Sequence, residues 1–369
     1  MLGRRSGPRV TRRGSTVGRA WAIVSPVRAV VVREAFGLDN LHLQEQSKPE
    51  PGPGQLRMRV HAASLNYRDL LMVRGQYNPR QPLPLVPASD GVGVVDAVGA
   101  GVDSARLGER VAGLFAQGWM DGEPTHRSAR ATLGGPLPGM LREWAVLDAD
   151  GVAPVPEHLT DVQAATLPCA GLTAWSALVT LGGIKPGDTV LVQGSGGVSS
   201  FALDFAVAAG ARVIATSRSA DKADALVERG AWKGVVTAED PKWGKTVRAL
   251  TGGRGVDLVV EVGGAGTLAQ SLRAVRLGGT VAMIGVLAGG RAEVDLTPVL
   301  MGQVRVQGVL VGHRAGFEAM CRSIAQHRLE PRVDSVYPLE QTRAAFDHLA
   351  SGTQRGKICI DLTTAGSGG

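Results

Sequence analysis

The segment Thr189-Val-Leu-Val-Gln-Gly-Ser-Gly-Gly-Val-Ser-Ser200 runs from apolar residues into a glycine cluster, and the chain resumes as the helical pattern Phe201-Ala-Leu-Asp-Phe-Ala-Val-Ala-Ala209. A short apolar run that stops at glycine and restarts with helical periodicity predicts strand, tight turn and helix. Gly194 supplies positive φ at the turn, Gly196 lets the backbone approach an anion with no Cβ in the way, and the helix start offers free N–H groups. Such a turn is a cradle for a pyrophosphate, with Gly194, Ser195, Gly196, Gly197 and Val198 as its candidate contacts. The third glycine of the G-x-G-x-x-G pattern is Ser199 here, a side chain expected to crowd the helix against the strand.

The surroundings extend this unit. Arg212-Val-Ile-Ala-Thr216 follows the Gly210-Ala211 turn, and four more strand-like runs come after it: Gly234–Thr237, Val256–Glu261, Gly279–Ile284 and Arg305–Val311. Six mostly apolar strands alternating with helices predict an α/β fold: a doubly wound parallel sheet, covered on both faces, with its ligand at the carboxyl ends of the strands. From Val27 to about Pro156 the texture differs. Short alternating runs such as Gln55–Val60 and Gly91–Val98, punctuated by Pro49-Glu-Pro-Gly-Pro-Gly54 and Gly99-Ala-Gly101, predict small-barrel strands and turns. At 369 residues the chain is long enough for two such domains.

Charge excludes one class of partner. Seven arginines lie in residues 1–28 with no acidic residue, and removing them from the total of 40 Lys+Arg leaves 33 against 33 Asp+Glu. The body is neutral, so the positive total does not indicate nucleic-acid binding. The basic start is expected to be a disordered extension or a misplaced start codon, because Ala20–Val24 is too short for a secretory apolar core. No stretch approaches the roughly 20 apolar residues of a membrane helix, and three scattered cysteines suit a reducing compartment. A soluble cytoplasmic protein is expected.

Four stretches then carry a family resemblance: Asn66-Tyr-Arg-Asp-Leu70 with Gly75-Gln-Tyr77, Pro87-Ala-Ser-Asp-Gly-Val-Gly93, Leu167-Pro-Cys-Ala-Gly-Leu-Thr-Ala174, and the glycine loop. In order and spacing they resemble the medium-chain dehydrogenases and reductases, and within them the zinc-independent quinone oxidoreductase and enoyl reductase branch. The resemblance implies a GroES-like β-rich catalytic domain (27–155), a Rossmann domain with a six-stranded sheet (156–312) and a return to the catalytic domain (313–362). The extension 1–26 and a flexible tail, 363–369, fall outside. It also implies Thr173 and, more weakly, Lys357 near the cofactor, although a lone lysine before a strand also reads as a solvated charge.

Zinc relatives place a cysteine where this chain has Asn66 and a Gly-His-Glu box where it has Ser89-Asp90-Gly91. Cys169 stands at a third ligand position, but one thiol does not make a catalytic site that needs three ligands, and residues 116–140 contain no cysteine for a structural metal. Neither zinc is expected. Without a Lewis acid, a conjugated alkene or quinone is an easier substrate than an isolated ketone: hydride adds β to a carbonyl, and hydrogen-bond donors hold the enolate oxygen. Asn66 reads either as donor or orienting group for that oxygen or as the cap of a turn. The proton for the α carbon is assigned first to Tyr77, with Tyr67 or water as alternatives; each tyrosine also has a packing reading.

The second strand ends in Thr216-Ser-Arg-Ser219, where NAD enzymes carry a carboxylate for the ribose hydroxyls. Ser217, Arg218 and Lys222 are placed to bind a 2′-phosphate instead, so NADP(H) is the expected cofactor. Residues 116–140, with Trp119, Met120 and His126, read as a mobile pocket wall or a surface insertion. The apolar edge Val304–Val311 predicts a homodimer. The function expected is NADPH-dependent reduction of a quinone or conjugated alkene. The alternatives are an alcohol dehydrogenase or ketone reductase, and a non-catalytic NADP-binding sensor.

Overall fold

A computed structural model describes residue 3 and residues 26–363. Six of the seven N-terminal arginines, and the tail beyond residue 363, lie outside these. The seventh, Arg28, pairs with Glu143 at 2.8 Å and also with Glu340.

The alternating segments form β1 (Val27–Val32), β2 (Leu41–Gln46), β3 (Gln55–Leu65), β4 (Asp90–Val98), β5 (Arg110–Gly113), β6 (Trp144–Asp148) and β7 (Val152–Pro154). β1 and β2 make an antiparallel pair, and the long β3 joins β4 on one side while β6 also pairs with it. Gly93 sits where β4 crosses β3 closely, since a Cβ there would lie 1.9 Å from the Arg59 carbonyl oxygen.

The continuous apolar runs form the second sheet: β8 (Thr189–Gln193), β9 (Arg212–Ser217), β10 (Lys233–Val236), β11 (Val256–Glu261), β12 (Val275–Met283) and β13 (Arg305–Gly308). All are parallel, in the order β10-β9-β8-β11-β12-β13. Every residue of β8 and β11 is buried, as strands covered by helices on both faces require. The order reverses between β8 and β11, which is where such sheets open a ligand crevice. β14 (Val333–Pro338) and β15 (Lys357–Asp361) then carry the chain back, and β15 pairs antiparallel with Ala62–Leu65 of β3.

Three expectations change. β13 ends at Gly308, because Val309 makes the last ladder bond, to Met283 O, and Val311 turns off with φ 43°. Ser199 does not crowd the helix Gly197–Ala208: its hydroxyl donates to Gln193 O at 2.6 Å and ties the helix to β8. Residues 116–140 do not line the cleft, and they divide: residues 120–127 are exposed, as a surface insertion would be, while most of residues 131–140 are buried. They contain the short helix His126–Arg130 with its Thr125 cap, and Leu133 and Met140 are buried in the β core. Trp119 meets His313 edge-on, and its carbonyl accepts from Arg314 N at 2.9 Å.

Candidate active site

Between the two sheets lies a cleft of about 960 Å³. Its dinucleotide side is the β8 turn. Gly194 adopts φ 74°, and a Cβ on Gly194 or Gly196 would meet no protein atom within 4 Å. No side chain caps the helix Gly197–Ala208, so its first N–H groups face the opening. An open cradle, an uncapped helix start and the buried, unpartnered Gln354 Oε1 on the same wall fit a bound dinucleotide.

Each candidate cofactor residue lines this cleft. Ser195, Gly197 and Val198 follow the turn; Thr173 Oγ1 donates to Cys169 O at 2.6 Å and is 4% exposed. Ser217 is buried at the end of β9, Arg218 is exposed at the rim, and Lys222 Nζ donates to Thr353 O at 3.3 Å.

Two residues that sequence reasoning passed over stabilise the strand ends at the switch point. Glu261 is fully buried, and its carboxylate accepts from Gln193 Nε2 (2.8 Å), Gly263 N (2.8 Å), Gly264 N (3.0 Å), Thr267 Oγ1 (2.5 Å) and Ser271 Oγ. Gln193 Oε1 in turn accepts from Val262 N. The available signal was a polar residue ending each of two mostly apolar strands.

The β-domain side is built on the helix Tyr67–Val73. Asn66 precedes it, and Asn66 N donates to Asp69 Oδ2 at 2.8 Å. The Asn66 amide has one orientation that satisfies its neighbours: Nδ2 donates to Asp90 Oδ2 (2.9 Å) and Ser89 Oγ (3.4 Å), while Oδ1 accepts from Lys357 Nζ. Its donors are therefore engaged by Ser89 and Asp90, and Asn66 is also the N-cap of the helix. Lys357 is 4% exposed, so it is not a solvated charge. It donates also to Leu65 O at 2.6 Å and lies 4.0 Å from Asp90. Burial pushes the Asp90 carboxyl up to about 6 against the pull of Lys357, and Asp69 adds to the rise.

Tyr67 and Tyr77 both line the cleft, 40% and 50% exposed, and neither hydroxyl has a hydrogen-bond partner among the described residues. Tyr67 is thus not the core aromatic that one reading expected. The Arg68 guanidinium lies 5.1 Å from the Tyr77 ring and 4.9 Å from Phe115, and its terminal nitrogens are held by Asp69 and the Leu133 and Gly135 carbonyls.

The donor set does not fit a zinc ion. Asn66, Ser89 and Asp90 are hydrogen-bonded to one another, an ammonium group approaches Asn66 and Asp90, and burial raises the Cys169 thiol far above its ordinary range. Among the described residues, no group of three or more His, Cys, Asp or Glu is placed to hold a metal.

A parallel Rossmann sheet joined to a β-rich domain across one cleft is the architecture of a two-domain dinucleotide-binding protein. The comparisons agree. The alcohol dehydrogenase GroES-like domain family matches residues 52–157, and the zinc-binding dehydrogenase family matches residues 197–326. A zinc-type alcohol dehydrogenase-like protein of Schizosaccharomyces pombe is 37% identical over 91% of this chain and 99% of its own length. Crotonyl-CoA reductase of Streptomyces collinus is 30% identical, over 87% of this chain and 81% of its own. The crystal structure of an NAD-dependent alcohol dehydrogenase superposes with TM-score 0.84 at 34% identity, over 91% and 99% of the two chains. The chain belongs to the medium-chain dehydrogenase/reductase superfamily, with relatives that include its enoyl reductase-like branch.

Proposed function

We propose that the protein is an NADPH-dependent, zinc-independent reductase of a quinone or a conjugated alkene. The observation that carries this reading is the replacement of a metal-ligating set by Asn66, Ser89 and Asp90, bonded among themselves, at the cleft where the two sheets meet. When bound, NADPH supplies a hydride. The chain's residues do the rest. The β8 turn seats the pyrophosphate; Ser217, Arg218 and Lys222 receive the 2′-phosphate; Thr173 and the Gln193–Glu261 pair shape the wall between the sheets. Tyr67, Leu71, Tyr77 and Phe115 offer a flat aromatic and aliphatic lining suited to a planar conjugated substrate. Tyr77, with its free hydroxyl, is the proton donor to the α carbon.

The second reading, an alcohol dehydrogenase or ketone reductase, is favoured by the names of several relatives, one of them NAD-dependent. The two separate in one assay, NADPH and NADH oxidation across a panel of quinones, enones and simple ketones, with and without a chelator. Turnover of enones or quinones that survives chelation supports the proposal. Turnover of ketones alone, abolished by chelation, overturns it.

We also propose a homodimer through the free edge of β13. Leu296, Leu300, Met301 and Val306 stand exposed beside that edge, whose backbone is otherwise open to pairing. A solution mass of one chain at micromolar concentration overturns it.

A further inference from the structure

The reaction leaves a negative charge on the substrate's carbonyl oxygen, and something in the cleft must receive it. Asn66 is already committed, because both of its amide protons point to Ser89 and Asp90. The tyrosines at the mouth are half exposed, and Arg68, although its Nε has no partner among the described residues, has its terminal nitrogens held by two backbone carbonyls and Asp69 and its guanidinium beside the Tyr77 and Phe115 rings. Lys357 differs from all of these. Its ammonium is buried, lines the cleft, and donates two of its three N–H groups, to Leu65 O and Asn66 Oδ1. The third has no acceptor within hydrogen-bond range among the described residues, and Asp90 stands 4.0 Å away. The stem passes over Gly197 of the dinucleotide turn, so the head lies between the cofactor cradle and the substrate side.

We propose that Lys357 is the electrostatic catalyst of this site, donating its free N–H to the substrate's carbonyl oxygen. The inference rests on the reductase reading. Hydride from NADPH forms a bond to the β carbon, and the alkene π pair moves to make a new double bond between the α and carbonyl carbons. The carbonyl π pair settles on oxygen beside the Lys357 ammonium. The α carbon then takes a proton from Tyr77 or water, the carbonyl re-forms, and NADP⁺ is left with the saturated ketone or thioester. Asn66 and Leu65 O position the ammonium, and Asp90 balances its charge in a buried setting.

Two measurements test this. In the first, a 4-nitrophenol probe is titrated into the wild-type protein with NADP⁺, and its visible spectrum reports whether the oxygen is bound as phenolate. The proposal requires the phenolate band at a pH where the free probe is mostly neutral; a probe bound only as the phenol overturns it, whatever the substrate turns out to be. The second uses Lys357→Met combined with Asp90→Asn, which removes both charges together and leaves no lone buried carboxylate at this point. With an enone or quinone the wild type reduces, kcat is expected to fall by about 10² or more, with NADPH affinity within about threefold and loss of the phenolate band. An unchanged kcat, or a loss confined to NADPH affinity, overturns the assignment. If the wild type reduces no enone or quinone, the functional reading fails while the probe still judges Lys357.

Discussion

The stem of Lys357 lies across the α carbon of Gly197: a Cβ at that glycine would come within 2.6 Å of Lys357 Cδ. The contact joins the last strand of the β domain to the dinucleotide turn, and it is reinforced by a parallel bridge between Gly196 and Gly356 and by Gly356 N donating to Ser195 O at 3.1 Å. Cofactor cradle and substrate side are thus set against each other by backbone as well as by side chain.

Adjacent glycines at this turn should respond differently to alanine. Gly196 has φ −74°, and its Cβ would enter open space, so Gly196→Ala should leave the melting temperature within about 2 °C and weaken NADPH binding by about tenfold or more. Gly197→Ala must displace the buried Lys357 stem, and a fall in kcat of about tenfold is expected in addition. Equal affinities in Gly196→Ala and wild type, read by fluorescence titration, would remove the pyrophosphate from this turn.

Arg218 stands exposed at the rim with no carboxylate at the end of β9. Arg218→Ala is expected to raise KM for NADPH by about tenfold or more while leaving NADH nearly unchanged, the loss of about 1.4 kcal/mol that one charge-assisted phosphate contact supplies. An equal loss with both cofactors refutes the 2′-phosphate assignment.

Acid should loosen the β domain at a definable point. Asp161 begins the short helix Asp161–Ala164 and accepts from Arg110 Nε at 2.6 Å; its other oxygen is 2.8 Å from His61 Nδ1. The His61 bond, followed by Arg110, holds its carboxyl down at about 2 despite partial burial, against about 3.9 for a free side chain. A depressed carboxyl contributes stability that is complete above about pH 4 and lost as the pH falls toward 2, here about 1 kcal/mol after allowing for solvent screening. Urea unfolding of wild type and Asp161→Asn should differ at pH 6 and converge near pH 2. A difference that persists at pH 2 would show that the contacts do not depend on the charge.

The Rossmann half was legible because its signals are local: β8, β9 and β11 are mostly apolar runs that follow glycine turns. The last strand was misjudged by three residues, since apolar Val309–Val311 continue the pattern after the pairing has ended and line the cleft instead. The buried part of the segment 116–140 was missed for a related reason. Leu133 and Met140 are separated by glycines and prolines that hide any periodicity, yet tertiary packing buries both. The polar cluster was the least legible part. Asn66, Asp90 and Lys357 come from three distant stretches, and only the antiparallel pairing of β15 with β3 brings the lysine to Leu65 and Asn66. A lysine before a strand looks solvated until the strand's partner is known.

The proton donor is the remaining assignment. Tyr77 follows the helix Tyr67–Val73, its N–H donates to Leu71 O at 3.1 Å, and its ring rests on Arg68, so the backbone and one face of the ring are fixed while the hydroxyl is free at the cleft. Tyr77→Phe keeps the ring and the cation–π contact and removes only the hydroxyl. It should lower kcat on an enone by about 10² while NADPH affinity stays within about twofold. Tyr67→Phe, made in parallel, should change kcat by less than about threefold. A quinone substrate sharpens the comparison: its reduced oxygens take protons readily from water, so Tyr77→Phe should harm enone reduction more than quinone reduction. Equal kcat for Tyr77→Phe and wild type on the enone would leave Tyr77 as pocket wall, and a loss in Tyr67→Phe alone would move the acid to the residue that follows Asn66.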